Sequence, residues 1–452
     1  MSSLPAWVAE LRRAAVDIFR AGVAAADPRR AVEQALQVRN GRLAIRRGDG
    51  SWREGDWRRI RLVAFGKAAC AMTEGALARL EAAWLADQPI VVTNYENLRE
   101  LPGCRVLGAG HPLPDDNGER AARAVAGSVA AAGASNELVL VLISGGGSAL
   151  LPAPAAGLAL ADKIATTRLL LACGADIHAV NCVRKHLSSL KGGALARLAA
   201  PAEVHALILS DVLDDDLSVI ASGPTVPDSS TYADAVAVLR RHGVWEQVPE
   251  PVRAHLQRGL AGQVADTPKP GDALFARVDN TLVGSNRLSL EAARRAAEAL
   301  GYAVTLHDTM LCGEAREAAE GLARAALAAG QGGVALLAGG ETTVTLRGSG
   351  RGGRNQELAL AFVLAAERLS LPPRWAFLSG GTDGRDGPTD AAGGVVDPWT
   401  LARIQAAGAD PQRLLDDNDS YTALDLAGDL LRSGATGTNV ADLQVLLLRS
   451  VA

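Results

Sequence analysis

Lysine is scarce in this chain, with five residues (Lys67, Lys163, Lys185, Lys191 and Lys269) against 41 arginines in 452 positions. Where Arg fills nearly every basic position, a retained Lys marks a place suited to a compact, mobile ammonium. Cysteine is sparse as well. The five (Cys70, Cys104, Cys173, Cys182 and Cys312) are odd in number and none stands in a CxxC pair. That argues against a disulfide framework and fits a reduced chain with small buried thiols. None of the seven histidines lies in HExxH or a zinc-ligand spacing, so no zinc site is expected. GxSxG is missing too, because Ser148 is followed by Ala149-Leu150, which argues against an α/β-hydrolase nucleophile. There is no basic excess: the net charge is −4, and nucleic acid is not an expected partner. The charge-free window from Leu138 to Ala161 is interrupted by Gly145, Gly146, Gly147, Pro152, Pro154 and Gly157, so it does not read as a membrane span. The first 26 residues carry Glu10, Arg12, Arg13, Asp17 and Arg20. They read as an amphipathic helix with Leu4, Val8, Leu11 and Ala15 on one stripe, and not as a signal peptide. A cytoplasmic protein is expected.

What is present is a soluble globular composition, 48% apolar and 21% charged, in a chain long enough for two domains. Short β-branched runs alternate with Ala/Leu/Arg-rich helical patterns. Strands are expected at 60–65, 90–93, 138–143, 204–209, 281–283, 303–307, 333–338, 342–346, 375–378 and 444–448. Helices are expected at 118–132, 162–173, 176–190, 232–241, 288–300, 313–329 and 355–368. Such alternation implies α/β layers with largely parallel sheets. The Pro- and Gly-rich stretch from Gln247 to Ala273 is the best boundary and divides the chain near residue 270.

Three glycine-rich loops follow predicted strands, where open α/β sheets bind ligands. The first is Ser144-Gly145-Gly146-Gly147-Ser148, whose N–H groups and hydroxyls can converge on an anion. The second is Ser379-Gly380-Gly381-Thr382-Asp383-Gly384. The third runs from Arg347 to Glu357 and holds a GxGxxG at Gly348, Gly350 and Gly353. The acid expected to bind a ribose is missing after the third loop, and Arg351 and Arg354 put positive charge at the helix start. It therefore reads as a phosphate clamp built on Gly350, Gly352, Gly353, Arg354 and Asn355.

Lys67, directly after a strand in Phe65-Gly66-Lys67-Ala68, suits either a phosphate contact or an exposed helix start. Asn181, Lys185 and Ser188 share a helical face that suits a carboxylate or phosphate, or simply solvent. Asp211, first after its strand, is placed to act as a base or to reach a magnesium-bound phosphate. Asp383, Asp386 and Asp390 repeat that theme, and Glu341 and the run Asp416 to Asp419 are further polar candidates. His111, in Gly110-His111-Pro112, reads as a ligand contact or a satisfied loop histidine.

Together these stretches resemble the class II glycerate 2-kinases, some of which carry a hydroxypyruvate reductase label, and whose C-terminal domain is called MOFRL. The resemblance rests on Phe65-Gly-Lys-Ala-Ala69, Gly110-His-Pro-Leu-Pro-Asp115, Leu142-Ile-Ser-Gly-Gly-Gly-Ser-Ala-Leu-Leu151 and Asn181-Cys-Val-Arg-Lys-His-Leu-Ser188. It continues through Ile220-Ala-Ser-Gly-Pro-Thr-Val-Pro-Asp228, Gly339-Gly-Glu-Thr-Thr343, Gly352-Gly-Arg-Asn-Gln-Glu357, Ser379-Gly-Gly-Thr-Asp-Gly384 and Gly437-Thr-Asn-Val440. It implies an α/β fold in two domains: 1–270, Rossmann-like and doubly wound, and 271–452, of MOFRL type. The active site is expected in the cleft between them. It also implies ATP- and Mg²⁺-dependent phosphorylation of D-glycerate at its 2-hydroxyl, with Lys67 and Arg354 as catalytic cations and Asp211 nearby. On this reading the glycine loops and Arg354 hold the triphosphate, Asn181 and Lys185 hold the substrate carboxylate, and Asp211 and Asp383 bind metal. Two alternatives stay open: an NAD(P)H-dependent hydroxypyruvate reductase using Gly348, Gly350 and Gly353, and a non-catalytic sugar-phosphate sensor. Monomer and homodimer are both compatible with the sequence.

Overall fold

The computed structural model describes residues 5–329 and 332–449, so Leu4 of the expected N-terminal stripe lies outside the described residues. The chain forms two compact units. One is Pro28–Val283, and the other joins the residues up to Asp27 to those from Gly284 onward. The expected single cut near residue 270 is therefore replaced by a cut near 284, and the N-terminal helix belongs with the C-terminal half. Apolar contact decides both points. Residues 247–273 are not a linker, because Glu250–Leu260 is a helix with Pro251 in its first turn, where the missing N–H costs nothing. Its Val252 and Leu256 are buried against Tyr232, Val236 and Leu239.

In the first unit a six-stranded sheet has the order Arg105–Ala109, Ile90–Asn94, Arg59–Phe65, Glu137–Ile143, Glu203–Leu209, Val278–Gly284. In chain order this is 3-2-1-4-5-6, and the four ladders among the first five strands are parallel. Strands 137–143 and 203–209 are buried along their whole length. That explains their unbroken apolar runs, since a parallel sheet is covered on both faces. Val139, Val141 and Ile143 meet Ala121, Ala122, Val125 and Val129 of helix Asp116–Ala130 on one of those faces. The winding reverses between strands 59–65 and 137–143. Their register pairs Phe65 with Ile143, so the loops beginning at Gly66 and Ser144 leave the sheet side by side. A small antiparallel sheet of Leu36–Arg39, Arg42–Arg46 and Trp52–Glu54 precedes it and was not expected.

The second unit has a mixed sheet in the order Ala303–Leu311, Val334–Gly340, Asp442–Leu448, Trp375–Gly381, Gly393–Val396, Leu430–Leu431. Only the first pair is parallel. Helices Ala6–Ala25 and Asn286–Ala299 cover the face carrying Ala335, Leu337, Ala376, Leu378, Leu443 and Val445. Helices Ala315–Ala329 and Arg354–Arg368 cover the opposite residues, Leu336, Ala338, Phe377 and Leu446. A Cβ on Gly22 would stand 2.6 Å from Leu443 Cδ1 and 3.1 Å from the Ser289 carbonyl, so this glycine lets the N-terminal helix lie close. Arg12 pairs with the buried Asp397 and Asp429. The expected strand 342–346 does not form. Past Gly340, Thr343 hydrogen-bonds to Gly313 and Ala315 instead, and Leu346 is exposed. Among the described residues no helix is long and apolar enough to cross a membrane. All five cysteines are free, and contrary to the buried-thiol expectation Cys173 and Cys312 are exposed.

Candidate functional site

At the point of strand reversal in the first unit, two glycine turns interlock. Lys67 N–H donates to the Gly145 carbonyl (2.9 Å), Ser144 N–H to the Phe65 carbonyl (3.1 Å), and Ala68 N–H to Ser144 Oγ (3.0 Å). Gly66, at φ +128°, has no room for a side chain: a Cβ there would sit 2.1 Å from Ser144 Oγ. The following glycines also face close neighbours. A Cβ on Gly145 would lie 2.1 Å from Asp211 Oδ2, and one on Gly146 would lie 3.0 Å from His111 and 3.4 Å from Lys67 Cγ. One on Gly147 would press on Ala221 and Phe65. The three bare glycines therefore let Lys67, His111 and Asp211 approach one backbone turn. Among the described residues, nothing accepts from the N–H groups of Gly145, Gly146, Gly147 or Ser148. Such open donors suit a phosphate or another oxyanion.

Burial shifts the two titrating neighbours in opposite directions. It pushes the Asp211 carboxyl up, with Lys67 pulling against it. It pushes the His111 imidazole down, and Lys67 adds to that. Asp211 is thereby a stronger base than a free aspartate, and His111 is held towards its neutral form.

Asp211 and His111 open onto a cavity of about 580 Å³ lined also by Gly146, Ser148, Asn181 and Lys191 together with apolar side chains. Ser148 Oγ meets Ser222 Oγ at 2.8 Å, and Ser222 Oγ donates to Asn181 Oδ1 at 3.0 Å. Ala221 and Ser222 adopt left-handed backbone (φ +50° and +62°). The turn is held there by Gly192 and Gly193 N–H groups donating to the Ser222 and Gly223 carbonyls. Non-glycine residues keep such φ values at a cost of about 1–3 kcal/mol each, and such strain clusters at ligand sites.

Asn181 thus belongs to the cavity, but Lys185, expected beside it, does not. Its ammonium is 3.3 Å from the buried Asp228 carboxylate, and it is not among the lining residues. Neither forms a solvated face, since both are buried. The helix ends at His186 rather than at 190. Reading the sequence missed Lys163, Arg168, Arg184 and Lys191 as cavity residues. The scarcity of lysine pointed at two of them, but nothing set Arg184 apart among 41 arginines.

In the second unit, Arg354 opens its helix with both edges of its guanidinium engaged. It donates to Asp442 at 2.6 and 3.0 Å and pairs with Glu341 at 2.8 Å. Burial disfavours its charge, but Asp442 and Glu341 outweigh that and its pKa is raised. The GxGxxG glycines are explained by contact with the acidic turn. A Cβ on Gly348 or Gly350 would overlap Asp417 and Asp419, one on Gly352 would reach Ser420 Oγ at 2.2 Å, and one on Gly353 would reach Asp386 at 2.3 Å. Many of the loop's donors are also taken. Ser349 and Arg351 N–H groups donate to the Asp417 and Asp419 carboxylates, and those of Arg347 and Gly348 to Asn418. Asn355 and Gln356 N–H groups donate to Asp386, and Asn355 Oδ1 accepts from Ser379. In the expected phosphate clamp, the N–H groups of Gly350 and Asn355 are thus engaged by Asp417 and Asp386, while those of Gly352 and Gly353 have no acceptor among the described residues. Gly380 is bare because a Cβ would stand 3.0 Å from Phe19 of the N-terminal helix, and a Cβ on Gly381 would meet the Arg385 carbonyl at 2.8 Å. Thr382 is buried and bonded to Ala441 and Val440. The Asp383 carboxylate accepts from Arg385 N–H. Asp211 and Asp383 lie in different units.

Comparison with known proteins matches residues 14–257 to a domain of unknown function, DUF4147, and residues 334–442 to the MOFRL family. The chain is 38% identical over 448 residues to glycerate 2-kinase of Pyrococcus horikoshii, covering 98% of each. It is 41% identical over 442 residues to an Agrobacterium vitis protein with a provisional name of hydroxypyruvate reductase, covering 95% of this chain and 93% of that one. The crystal structure of glycerate kinase from Thermotoga maritima superposes with a TM-score of 0.85 at 38% identity, covering 97% and 99%. With interlocked glycine turns in one unit and a MOFRL sheet in the other, the chain belongs to the DUF4147/MOFRL glycerate kinase family.

Proposed function

We propose that this protein phosphorylates D-glycerate at the 2-hydroxyl, consuming ATP and giving 2-phosphoglycerate and ADP. The observation that carries the reading is the convergence of Lys67, Asp211 and the unspent N–H groups of Gly145 to Ser148. Phosphoryl transfer needs little covalent help and depends on positioning and charge neutralisation. Lys67 supplies a mobile positive charge for the oxygens of the transferred group. The N–H groups of Gly145, Gly146, Gly147 and Ser148 hold phosphate oxygens, and Asp211 orients the attacking hydroxyl. A 3-2-1-4-5-6 sheet is the order of Rossmann-like doubly wound domains, which bind ligands where the winding reverses.

Asp211 would hold Mg²⁺, which would supply positive charge against the phosphate oxygens. Such ions commonly take one or two carboxylates plus phosphates and waters. Asp211, the single carboxylate among the residues lining the cavity, fits that donor set. Asp383 is the further candidate that the sequence pattern supplies, and Arg354 the further cation that the family resemblance supplies. The reductase reading loses its motif, since Gly348, Gly350 and Gly353 are packed against Asp417, Asp419 and Asp386.

The test is a coupled ADP-release assay with D-glycerate, with and without Mg²⁺. Lys67→Ala is expected to lower turnover roughly 10²–10³-fold or more, as for loss of a charge-stabilising donor, with an unchanged melting temperature. Near-normal turnover of the folded variant overturns the assignment. NADH oxidation with hydroxypyruvate and no ADP release would favour the reductase.

A further inference from the structure

The cavity beside Asp211 holds more positive charge than the chemistry above uses. Lys163, Arg184 and Lys191 line it, and the exposed Arg168 stands at its edge as a fourth cation. Lys163 and Lys191 are 7% and 3% exposed. Each ammonium has a backbone carbonyl for company: Lys163 that of Pro152 at 2.5 Å, Lys191 that of Ala221 at 3.4 Å. Among the described residues no carboxylate pairs with any of the three, and Asp211 is the one acid in the wall. An uncompensated buried cation is costly, and proteins ordinarily pair it. Lys185 shows the ordinary solution in the same segment, with its own buried Asp228.

A second observation points the same way. Asn181, 3% exposed and part of the wall, has an amide Nδ2 that is buried without a hydrogen-bond partner. Its Oδ1 is taken by Ser222, so the amide presents only donors. Four donor groups, none of them paired with a carboxylate, describe a site that is completed from outside by an oxyanion.

We infer that Lys163, Arg184, Lys191 and the Asn181 amide form one buried oxyanion site, which takes either the phosphates of the nucleotide or the carboxylate of the acceptor. The assignment rests on the kinase reading for the identity of those ligands, but not for the existence of the site. The larger share falls to the nucleotide. Three cations match a polyphosphate better than a single carboxylate, and about 580 Å³ exceeds what a three-carbon acid fills. The rim is apolar and exposed at Leu113, Leu171 and Ile177, a surface on which a flat base can lie. Burial drives Lys163 well below the ordinary lysine value and Lys191 down to about 7. Both amines thus hold their protons weakly until an anion lies beside them.

The experiment uses the full chain with Arg184→Met, Arg184→Lys and Lys191→Met, titrated separately with ADP, D-glycerate, inorganic phosphate and glycerol. Removing a charge-assisted hydrogen bond is expected to weaken anion binding about ten- to hundredfold, and glycerol, uncharged, should show no change. Arg184→Lys should recover part of the loss. In ligand-free protein Lys191→Met should raise the melting temperature, because it removes an unpaired buried charge, while still weakening anion binding. A merely structural lysine would do the reverse. Weakening in the ADP arm assigns the site to the nucleotide, and weakening only in the D-glycerate arm keeps the site and assigns it to the acceptor. Unchanged affinity for ADP, D-glycerate and phosphate in folded variants overturns it. Wild-type protein that binds these anions but releases no ADP would defeat the kinase reading and leave the oxyanion site standing.

Discussion

Gly145→Ala offers the sharpest test of how the glycine turn and Asp211 work together. Gly145 is not in the left-handed region, so an alanine there meets no backbone strain. Its new methyl would lie 2.1 Å from Asp211 Oδ2 and 2.7 Å from Cγ, whereas ordinary contact begins near 3.4 Å. The carboxylate must therefore swing away by about 1 Å, a misplacement that can cost about 10²-fold in rate. The obstacle is the far end of a side chain, so the fold should lose only about 1 kcal/mol. Neighbouring Gly66 gives the contrast. A Cβ there meets the Ser144 backbone carbonyl at 2.5 Å and φ is +128°, so Gly66→Ala should lower the melting temperature severely. The assay is ADP release with D-glycerate, with thermal unfolding in parallel, on Gly145→Ala, Asp211→Ala and the double variant. If the methyl acts through Asp211, the double variant should be no slower than Asp211→Ala alone. Wild-type turnover in Gly145→Ala, or a double variant far below Asp211→Ala, would refute the reasoning.

Two other outcomes follow from the second unit. Burial raises the Asp386 carboxyl from 3.8 to about 6. The folded state then holds a proton that the unfolded state has released between those values. The contribution to stability is present below about pH 4 and is lost as pH rises through 6, about 3 kcal/mol in all. Asp386→Asn should remove that fall, read as the difference between wild-type and variant urea unfolding at about pH 4 and pH 7, and an unchanged difference would contradict the shift. Arg12→Ala leaves Asp397 and Asp429 to Arg403 alone and should cost about 2–3 kcal/mol. Because Arg12 lies on the N-terminal helix, urea unfolding of this variant also tests the placement of that helix with the C-terminal half. A loss below about 0.5 kcal/mol would contradict it.

Much of the first unit was legible because its local signals agree. The run Leu138–Ile143 is apolar on both faces and ends in Ser-Gly-Gly-Gly, and both the buried strand and the tight turn after it follow from those residues. The third glycine loop is equally instructive. Gly348, Gly350, Gly352 and Gly353 look like a phosphate cradle because glycine reports only that something must come close. In this fold the close neighbours are Asp417, Asp419, Ser420 and Asp386, some 30 to 70 positions away, and no local pattern names them. Lys185 and Arg184 show the same limit at one residue's resolution. A face drawn on a helical wheel selected Lys185, while packing turned it onto Asp228 and put its neighbour in the cavity wall.

The sequence by itself determined the strand and helix alternation, the three glycine loops, the marking of Lys67 by the rarity of lysine, and membership in a kinase family. These are properties of periodicity, composition and motif, which are written residue by residue. Tertiary structure alone decided which half the first helix joins, which N–H groups of each glycine loop stay open, and which cations share a cavity with Asp211. Those depend on contacts between positions far apart in the chain, and a buried charge acquires its meaning only from what folding places, or fails to place, beside it.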